Sequence, residues 1–343
     1  MSLSICSKLN MDIDLPELKK ELEIIQRLQW HKESPFIAEN VPGLNTTVYH
    51  SGNWKVVSLR SLGGSESRTD PGGPSIHDYE YNEMSKHTPY IRKLMSYFGG
   101  DIRTVRLSSM GPGMTIQEHC DTFVALQYGQ VRLHIPIQTD ENVIMRFGKE
   151  EFHWPEGELW YGDFSVPHSV DNGSDKHRIH LIFDAYITDK LLELFPQSEQ
   201  KAIAAKQILC HQNSQPLAVE SLKKYQCDFD ISAALLKGIF ETDDGILGII
   251  SGQIKLIDNR ELQFWLDEKP LFTLEPLSDG LFKFRGWSVE RTIEFKWHED
   301  TLSEMVWQFN CGLHKTLVSI PVTATTEKST KPRLVEKQCE PCV

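Results

Sequence analysis

Gly111-Pro112-Gly113-Met114-Thr115-Ile116-Gln117-Glu118-His119-Cys120-Asp121, answered further on by Val166-Pro167-His168, is the stretch on which the reading of this chain turns. On an extended strand, residues i and i+2 point to the same side, so His119 and Asp121 can converge on one ion. The third ligand, His168, has to arrive from another strand. Two neutral imidazoles and one carboxylate occupy one octahedral face. With Fe(II) they leave a singly positive centre whose opposite face is open to a cosubstrate and O2. Taken alone the pattern is weak, because the chain holds 13 histidines and a surface His beside a solvated Asp looks the same.

The flanks add weight. Arg178 opens a β-rich run and suits a bidentate clamp on a carboxylate, the other reading being a rim Arg in a surface ion pair. Arg132 and His134 share one strand face by their spacing, although His134 also fits a satisfied core histidine. The Ser108 hydroxyl, before the turn at Gly111-Pro112-Gly113, can bond either a ligand carboxylate or local backbone. Together these side chains supply a metal triad and donors for a dicarboxylate, so the oxidant implied is a 2-oxo acid chelating Fe(II).

Around the motif, residues 102–186 break into short runs such as Val131–Ile137, Asn142–Phe147, Glu158–Tyr161 and Arg178–Asp184. Their alternation predicts many short strands and a double-sheet jelly roll. Upstream, Asp14-Leu15-Pro16 starts an amphipathic helix over 15–29, and Thr88-Pro89 starts a second that Gly99-Gly100 ends. The Gly/Ser/Pro-rich segment 61–74 is a loop, either ordinary or a lid over the site. Helical patterns return over 189–224, and an antiparallel meander is expected from about Asp228 to Val322.

Composition narrows the class. The 343 residues are 40% hydrophobic with a net charge of −12, which disfavours disorder, a nucleic-acid partner and an anionic membrane surface. No apolar run approaches the ~20 residues of a membrane span, and Met1–Asp14 does not read as a secretory signal. Seven scattered cysteines, including the pair Cys339 and Cys342, outline no disulfide framework, so a cytoplasmic location is expected.

The blocks Leu107-Ser108-Ser109-Met110-Gly111-Pro112-Gly113, His119, Arg132-Leu133-His134, Trp154-Pro155-Glu156-Gly157-Glu158, Asp163-Phe164-Ser165, His168 and Arg178 stand in one order. In this the chain resembles the aspartyl/asparaginyl β-hydroxylase family. From Ile102 to Asp184 it is most similar to the bacterial L-proline hydroxylases, sharing an Ile-Arg-x-x-Arg opening, the HxD pair, a Gly-Glu-x-Trp block and a Pro-His-Ser close. The resemblance implies a double-stranded β-helix dioxygenase using Fe(II), O2 and 2-oxoglutarate. His119, Asp121 and His168 would bind iron, while Ser108, Arg132, His134 and Arg178 would hold 2-oxoglutarate. The family's mammalian-type peptide hydroxylases have Gly where this chain has Asp121, and a carboxylate there also speaks against a halogenase.

The expected architecture is therefore mainly β with helices: a cupin-like jelly-roll catalytic domain plus a smaller antiparallel β-rich C-terminal domain. The division expected is a dioxygenase domain with N-terminal helices at 1–190, a helical linker at 191–226, an accessory domain at 227–322 and a disordered tail at 323–343. Leu271–Phe309 resembles the small lipocalin-like domains appended to some bacterial serine hydrolases. The expected reaction is hydroxylation of an unactivated C–H of an amino acid, free, peptidyl or carrier-bound, with succinate and CO2 as coproducts. Arg103 or Arg106 is a candidate for the substrate carboxylate. For the C-terminal domain the open readings are recruitment of a peptide or carrier, a homodimer contact, or simple stabilisation. Two alternatives use the same barrel: a non-oxidative cupin-type metal enzyme, and a non-catalytic ligand-binding protein.

Overall fold

The computed structural model describes residues 3–33, 52–121, 123–205, 208–232, 235, 248–312 and 314–325. Cys339, Cys342 and the tail from 326 onward lie outside the described residues.

The first helix, α1 (Leu15–Ile25), starts where Asp14 accepts the Glu17 N–H and Pro16 occupies the first turn. It buries Leu18, Leu22 and Ile25 and ends earlier than its apolar pattern suggested, with Leu28 reaching the same core from the turn beyond. The second, α2 (Pro89–Ser96), gets its N-terminal partner from α1. Buried Glu21 accepts the N–H groups of Tyr90 and Ile91, satisfying donors that have no partner within the helix.

Both helices pack on a large antiparallel sheet. It contains β1 (Cys6–Leu9), β2 (His31–Lys32), β3 (Trp54–Leu62), β4 (Tyr79–Tyr81), β5 (Ile102–Met110), β7 (Gln130–Gln138), β10 (Leu159–Gly162) and β12 (Arg178–Tyr186). A second sheet holds β6 (Thr115–His119), β8 (Val143–Phe147), β9 (Glu150–Phe152) and β11 (His168–Asn172). The order β10-β7-β12-β5 faces β6-β11-β8-β9. Chain neighbours thus cross between the two sheets, as a jelly roll requires. On β7, Val131, Leu133, Ile135 and Ile137 enter the core shared with the helices. The intervening residues, Arg132 and His134 among them, therefore point between the sheets.

Segment 61–74 is not a free lid. Its first residues complete β3, and Thr69, Asp70 and positions 72–75 are buried. Backbone bonds from Ser75 N to Arg285 O and from Thr273 N to Ser75 O tie its end to the C-terminal region.

After the short helices α3 (Asp189–Leu192), α4 (Gln197–Ala205) and α5 (Val219–Lys223) comes a second β unit. Its strands are β13 (Cys227–Ser232), β14 (Ile249–Ile257), β15 (Glu261–Leu266), β16 (Lys269–Ser278), β17 (Leu281–Phe284), β18 (Arg291–His298), β19 (Thr301–Cys311) and β20 (His314–Ala324). Each pairs with the next, and β20 returns to β13, closing an eight-stranded barrel. Two-residue turns at Asp267-Glu268, Asp279-Gly280 and Glu299-Asp300 join strands, with φ of 45° and 64° in the first of them. Rings fill the interior: Phe264 stacks on Phe272 at 4.8 Å and Phe272 on Phe284 at 4.3 Å, with Trp307 against both Phe264 and Phe284. Closure uses Thr323 and Ala324, so β20 extends into residues expected to belong to the tail.

Candidate metal centre

His119 ends β6 directly opposite His168, the first residue of β11, and their ring centroids are 4.2 Å apart. Asp121 lies just past the strand end and is held there by its N–H, which donates to the Phe164 carbonyl at 2.8 Å. A tethered turn, rather than the alternation of one continuous strand, therefore brings the carboxylate round. One ligand atom from each of the three residues lies within 4.8 Å of the others, and His119 Nε2 is 3.7 Å from Asp121 Oδ1.

The ring nitrogens are oriented for ligation. Nδ1 of His119 is 2.8 Å from the Gln117 carbonyl and Nδ1 of His168 is 3.0 Å from the Val166 carbonyl. A carbonyl only accepts, so each Nδ1 carries the proton and each Nε2 keeps its lone pair. Burial also pushes the His168 imidazole down to about 4, keeping it neutral.

Deeper between the sheets lies a polar floor. Arg178 opens β12 opposite Met110 and is 2% exposed. Its Nη1 lies 3.7 Å from the Met110 sulfur, while its Nε has no hydrogen-bond partner among the described residues. Burial alone pushes this guanidinium down to about 9. Two residues along, His180 faces Ser108 across the strand pair, and His134 Nδ1 is 3.3 Å from His180 Nδ1. Nε2 of both imidazoles is buried without a partner among the described residues. Ser108 Oγ accepts the Trp54 indole N–H at 2.7 Å and keeps its own proton to donate. Phe164 connects floor and triad, stacking on His134 at 5.2 Å and meeting His168 edge-on at 5.0 Å.

Arg132 is engaged on both sides. Its Nε donates to Asp184 at 2.9 Å and its Nη1 to Asp121. Neither sequence candidate for a substrate carboxylate stands free. Arg106 is locked to Asp184 at 2.5 Å and to Thr104 at 2.6 Å; Arg103 donates to Gln130 and to the Tyr79 hydroxyl. Among the neighbouring aromatics, Trp154 stacks on Trp160 and meets His134, whereas Tyr161 turns away into the core beneath the helices.

The sequence reading missed His180, Asp184 and Glu33. The first two share the face of Arg178 by simple alternation on β12, a signal that was available. Burial pushes the Glu33 carboxyl up to about 7, with Arg106 and Arg132 opposing that shift. Nothing in its local sequence marks it.

An unpaired buried guanidinium with hydroxyl and imidazole donors beside it is the complement of a carboxylate, and the His-Asp-His set above it suits Fe(II). The residues present therefore fit both groups. Fold and site together define a jelly roll that carries a candidate metal site. The Aspartyl/Asparaginyl beta-hydroxylase family matches residues 15–187, half of the chain, and the chain belongs to that family of 2-oxoglutarate- and Fe(II)-dependent oxygenases. The L-proline cis-4-hydroxylase of Rhizobium meliloti (strain 1021) is 26% identical over 152 residues, 43% of this chain and 51% of that protein. The chain thus spans about half the length of this curated relative. Among solved structures, a 2OG-Fe(II) oxygenase family oxidoreductase from Burkholderia pseudomallei has a TM-score of 0.35 at 14% identity, covering 50% of this chain and 80% of its own. A Pseudomonas putida prolyl-4-hydroxylase has a TM-score of 0.32 at 12% identity, covering 54% and 93%. No helix among the described residues is long and apolar enough to cross a membrane.

Proposed function

We propose that this protein hydroxylates an unactivated C–H bond of an amino acid, free, peptidyl or carrier-bound. The observation that carries this reading is the buried Arg178, whose Nε has no hydrogen-bond partner among the described residues, near His134, which Phe164 links to His168 of the His119, Asp121 and His168 cluster. A buried cation without an anion is costly, and a ligand carboxylate removes the cost.

In this reading His119, Asp121 and His168 hold Fe(II), while Arg178, Ser108 and His134 receive the distal carboxylate of 2-oxoglutarate. Nη1 of Arg132 joins them when Asp121 is taken up by the ion. When bound, iron and cosubstrate supply the oxidising chemistry: one O2 and one 2-oxoglutarate yield hydroxylated substrate, succinate and CO2. The chain's own part is positioning. The Nδ1 anchors at Gln117 and Val166 hold both ligand imidazoles neutral and oriented. Phe164 and Trp154 cover the imidazoles of the floor and limit water there. The Arg106, Asp184 and Arg132 network keeps fixed positive charge beside the site. Its internal pairing makes Arg106 a support rather than a substrate clamp.

Anaerobic titration tests the reading. Fe(II) with 2-oxoglutarate should give the visible charge-transfer band of a chelated complex, absent with Zn(II) and in His168→Ala. Asp121→Ala should lose iron-dependent succinate formation, and Arg178→Ala should mainly raise the 2-oxoglutarate concentration required. Wild-type turnover by Asp121→Ala would end the assignment. A mass-spectrometric comparison of free proline, other free amino acids and peptides then identifies the substrate.

A further inference from the structure

The segment that follows Asp121 is held by the C-terminal barrel rather than by its own domain alone. Phe123, two residues past Asp121, has φ of 65°, a left-handed backbone that an aromatic residue keeps only where its surroundings enforce it. Those surroundings combine the Tyr128 ring, which meets that of Phe123 edge-on at 5.4 Å, with residues of the barrel. The Arg291 guanidinium lies 4.1 Å over the Phe123 ring, and Trp287 meets that ring nearly at right angles at 6.2 Å. Arg291 is itself fully buried. Its Nε is 3.0 Å from Glu290 Oε2, and the same oxygen accepts the Trp287 indole N–H at 2.8 Å.

The main chain of the segment is gripped as well. The Phe123 carbonyl accepts from Gln130 Nε2 at 2.9 Å; Gln130 in turn accepts from Arg103, whose guanidinium lies 5.2 Å over the Trp287 ring. Further along, Ser288 Oγ donates to the Tyr128 carbonyl at 2.7 Å and Gly312 N to the Gln127 carbonyl at 2.8 Å. Contacts from the barrel therefore bracket the stretch from Phe123 to Tyr128.

We propose that Trp287, Glu290 and Arg291 form a clamp on Phe123 that positions the Asp121 turn, making the C-terminal barrel a working part of the metal centre. The proposal rests on the reading of His119, Asp121 and His168 as metal ligands. A module that only recruits substrate or stabilises the fold has no need to seat a buried ion pair on the ring two residues from a ligand. Phe123 and Arg291 are positioning residues: they act on the ion through Asp121.

The test uses the full-length protein and anaerobic Co(II) titration followed by d–d absorption, so that no turnover is required. Phe123→Leu and Arg291→Met should each weaken Co(II) binding about ten-fold or more, the usual effect of losing a contact that orients a ligand. The double variant should be no weaker than the worse single, because the two residues share one contact. Phe123→Tyr, which keeps the ring face, should stay within about two-fold of wild type. Circular dichroism checks folding, and Phe123→Leu, outside the barrel, leaves the Glu290–Arg291 pair intact if Arg291→Met fails to fold. A folded Phe123→Leu with wild-type Co(II) affinity, or additive losses in the double variant, would overturn the clamp. A wild-type protein that binds no Co(II) would overturn the metal assignment and the clamp with it.

Discussion

Asp184 accepts a 2.9 Å hydrogen bond from Nε of Arg132, and that contact decides which way the guanidinium faces. With Nε anchored on β12, Nη1 points to Asp121 at the triad. Burial pushes the Asp184 carboxyl up, but Arg106, Arg132 and Arg103 reverse this and hold it well below the usual carboxylate range. One buried acid thus organises the cationic side of the site.

Removing that acid should be severe. Asp184→Asn leaves Arg106 and Arg132 buried beside a neutral amide, and urea denaturation should show a loss of about 3–5 kcal/mol. A loss below 1 kcal/mol would mean that the two guanidinium groups find other partners.

Arg178 should behave in the opposite way. Without ligand its buried charge has no anionic partner among the described residues, so Arg178→Met should stabilise the ligand-free protein by about 1 kcal/mol or more. In the wild type, 2-oxoglutarate at a hundred-fold excess over its Kd should add about 2.7 kcal/mol. The variant should show no such gain. Equal ligand-induced stabilisation of both proteins would remove Arg178 from the cosubstrate site.

Acid should destabilise the metal-free protein over the histidine range. Burial first, and the Arg178 charge second, hold His134 and His180 well below the ordinary histidine value, so both stay neutral when folded. In the unfolded chain they take up protons below about pH 6.5. Their contribution is therefore fully present above that value and falls as pH drops below it, by up to about 1.4 kcal/mol per pH unit for each group, with Glu33, raised to about 7, offsetting one such group between pH 7 and about 4.5. His168, pushed down to about 4, adds a loss of the same sign between about pH 6.5 and 4. His180→Gln should flatten the fall. Constant urea midpoints between pH 7 and 5 would contradict this account.

The seam between the two β units can be probed at one glycine. Gly286 has φ of 79°, and a Cβ there would come within 2.4 Å of the Gly73 carbonyl oxygen. Gly286→Ala should cost about 2 kcal/mol or more by clash and backbone strain together. Gly99→Ala, with φ of 64° but nothing within 4 Å, is the control and should cost about 1 kcal/mol. Similar losses in the two variants would mean that the seam yields at little cost.

Much of the site was legible because its signals are local. His119 and Asp121 are neighbours in sequence, and alternation places Arg132 with His134 whatever the rest of the chain does. The same rule reaches His180 and Asp184 from Arg178, although nothing in composition drew notice to them. Glu33 and the Arg106–Asp184 pairing were hidden, because each depends on which strands become neighbours. Barrel closure by β13 and β20 was hidden for the same reason: period-two alternation looks alike in an open meander and in a closed cylinder.

By itself, then, the sequence determined the chemistry on offer: two imidazoles and a carboxylate at ligand spacing, guanidinium, imidazole and hydroxyl donors near them, and the order of strands that carries them. Only the tertiary structure decided how these groups are used. Cross-strand register put His168 opposite His119 and left Arg178 buried with no anion among the described residues, while Arg106 and Arg132 were drawn to Asp184. It also brought Arg291, far along the chain, to 4.1 Å from the ring beside Asp121. The physical reason is range. Side-chain direction along a strand is set residue by residue, but pairing, burial and charge compensation depend on what the folded chain brings within a few ångströms.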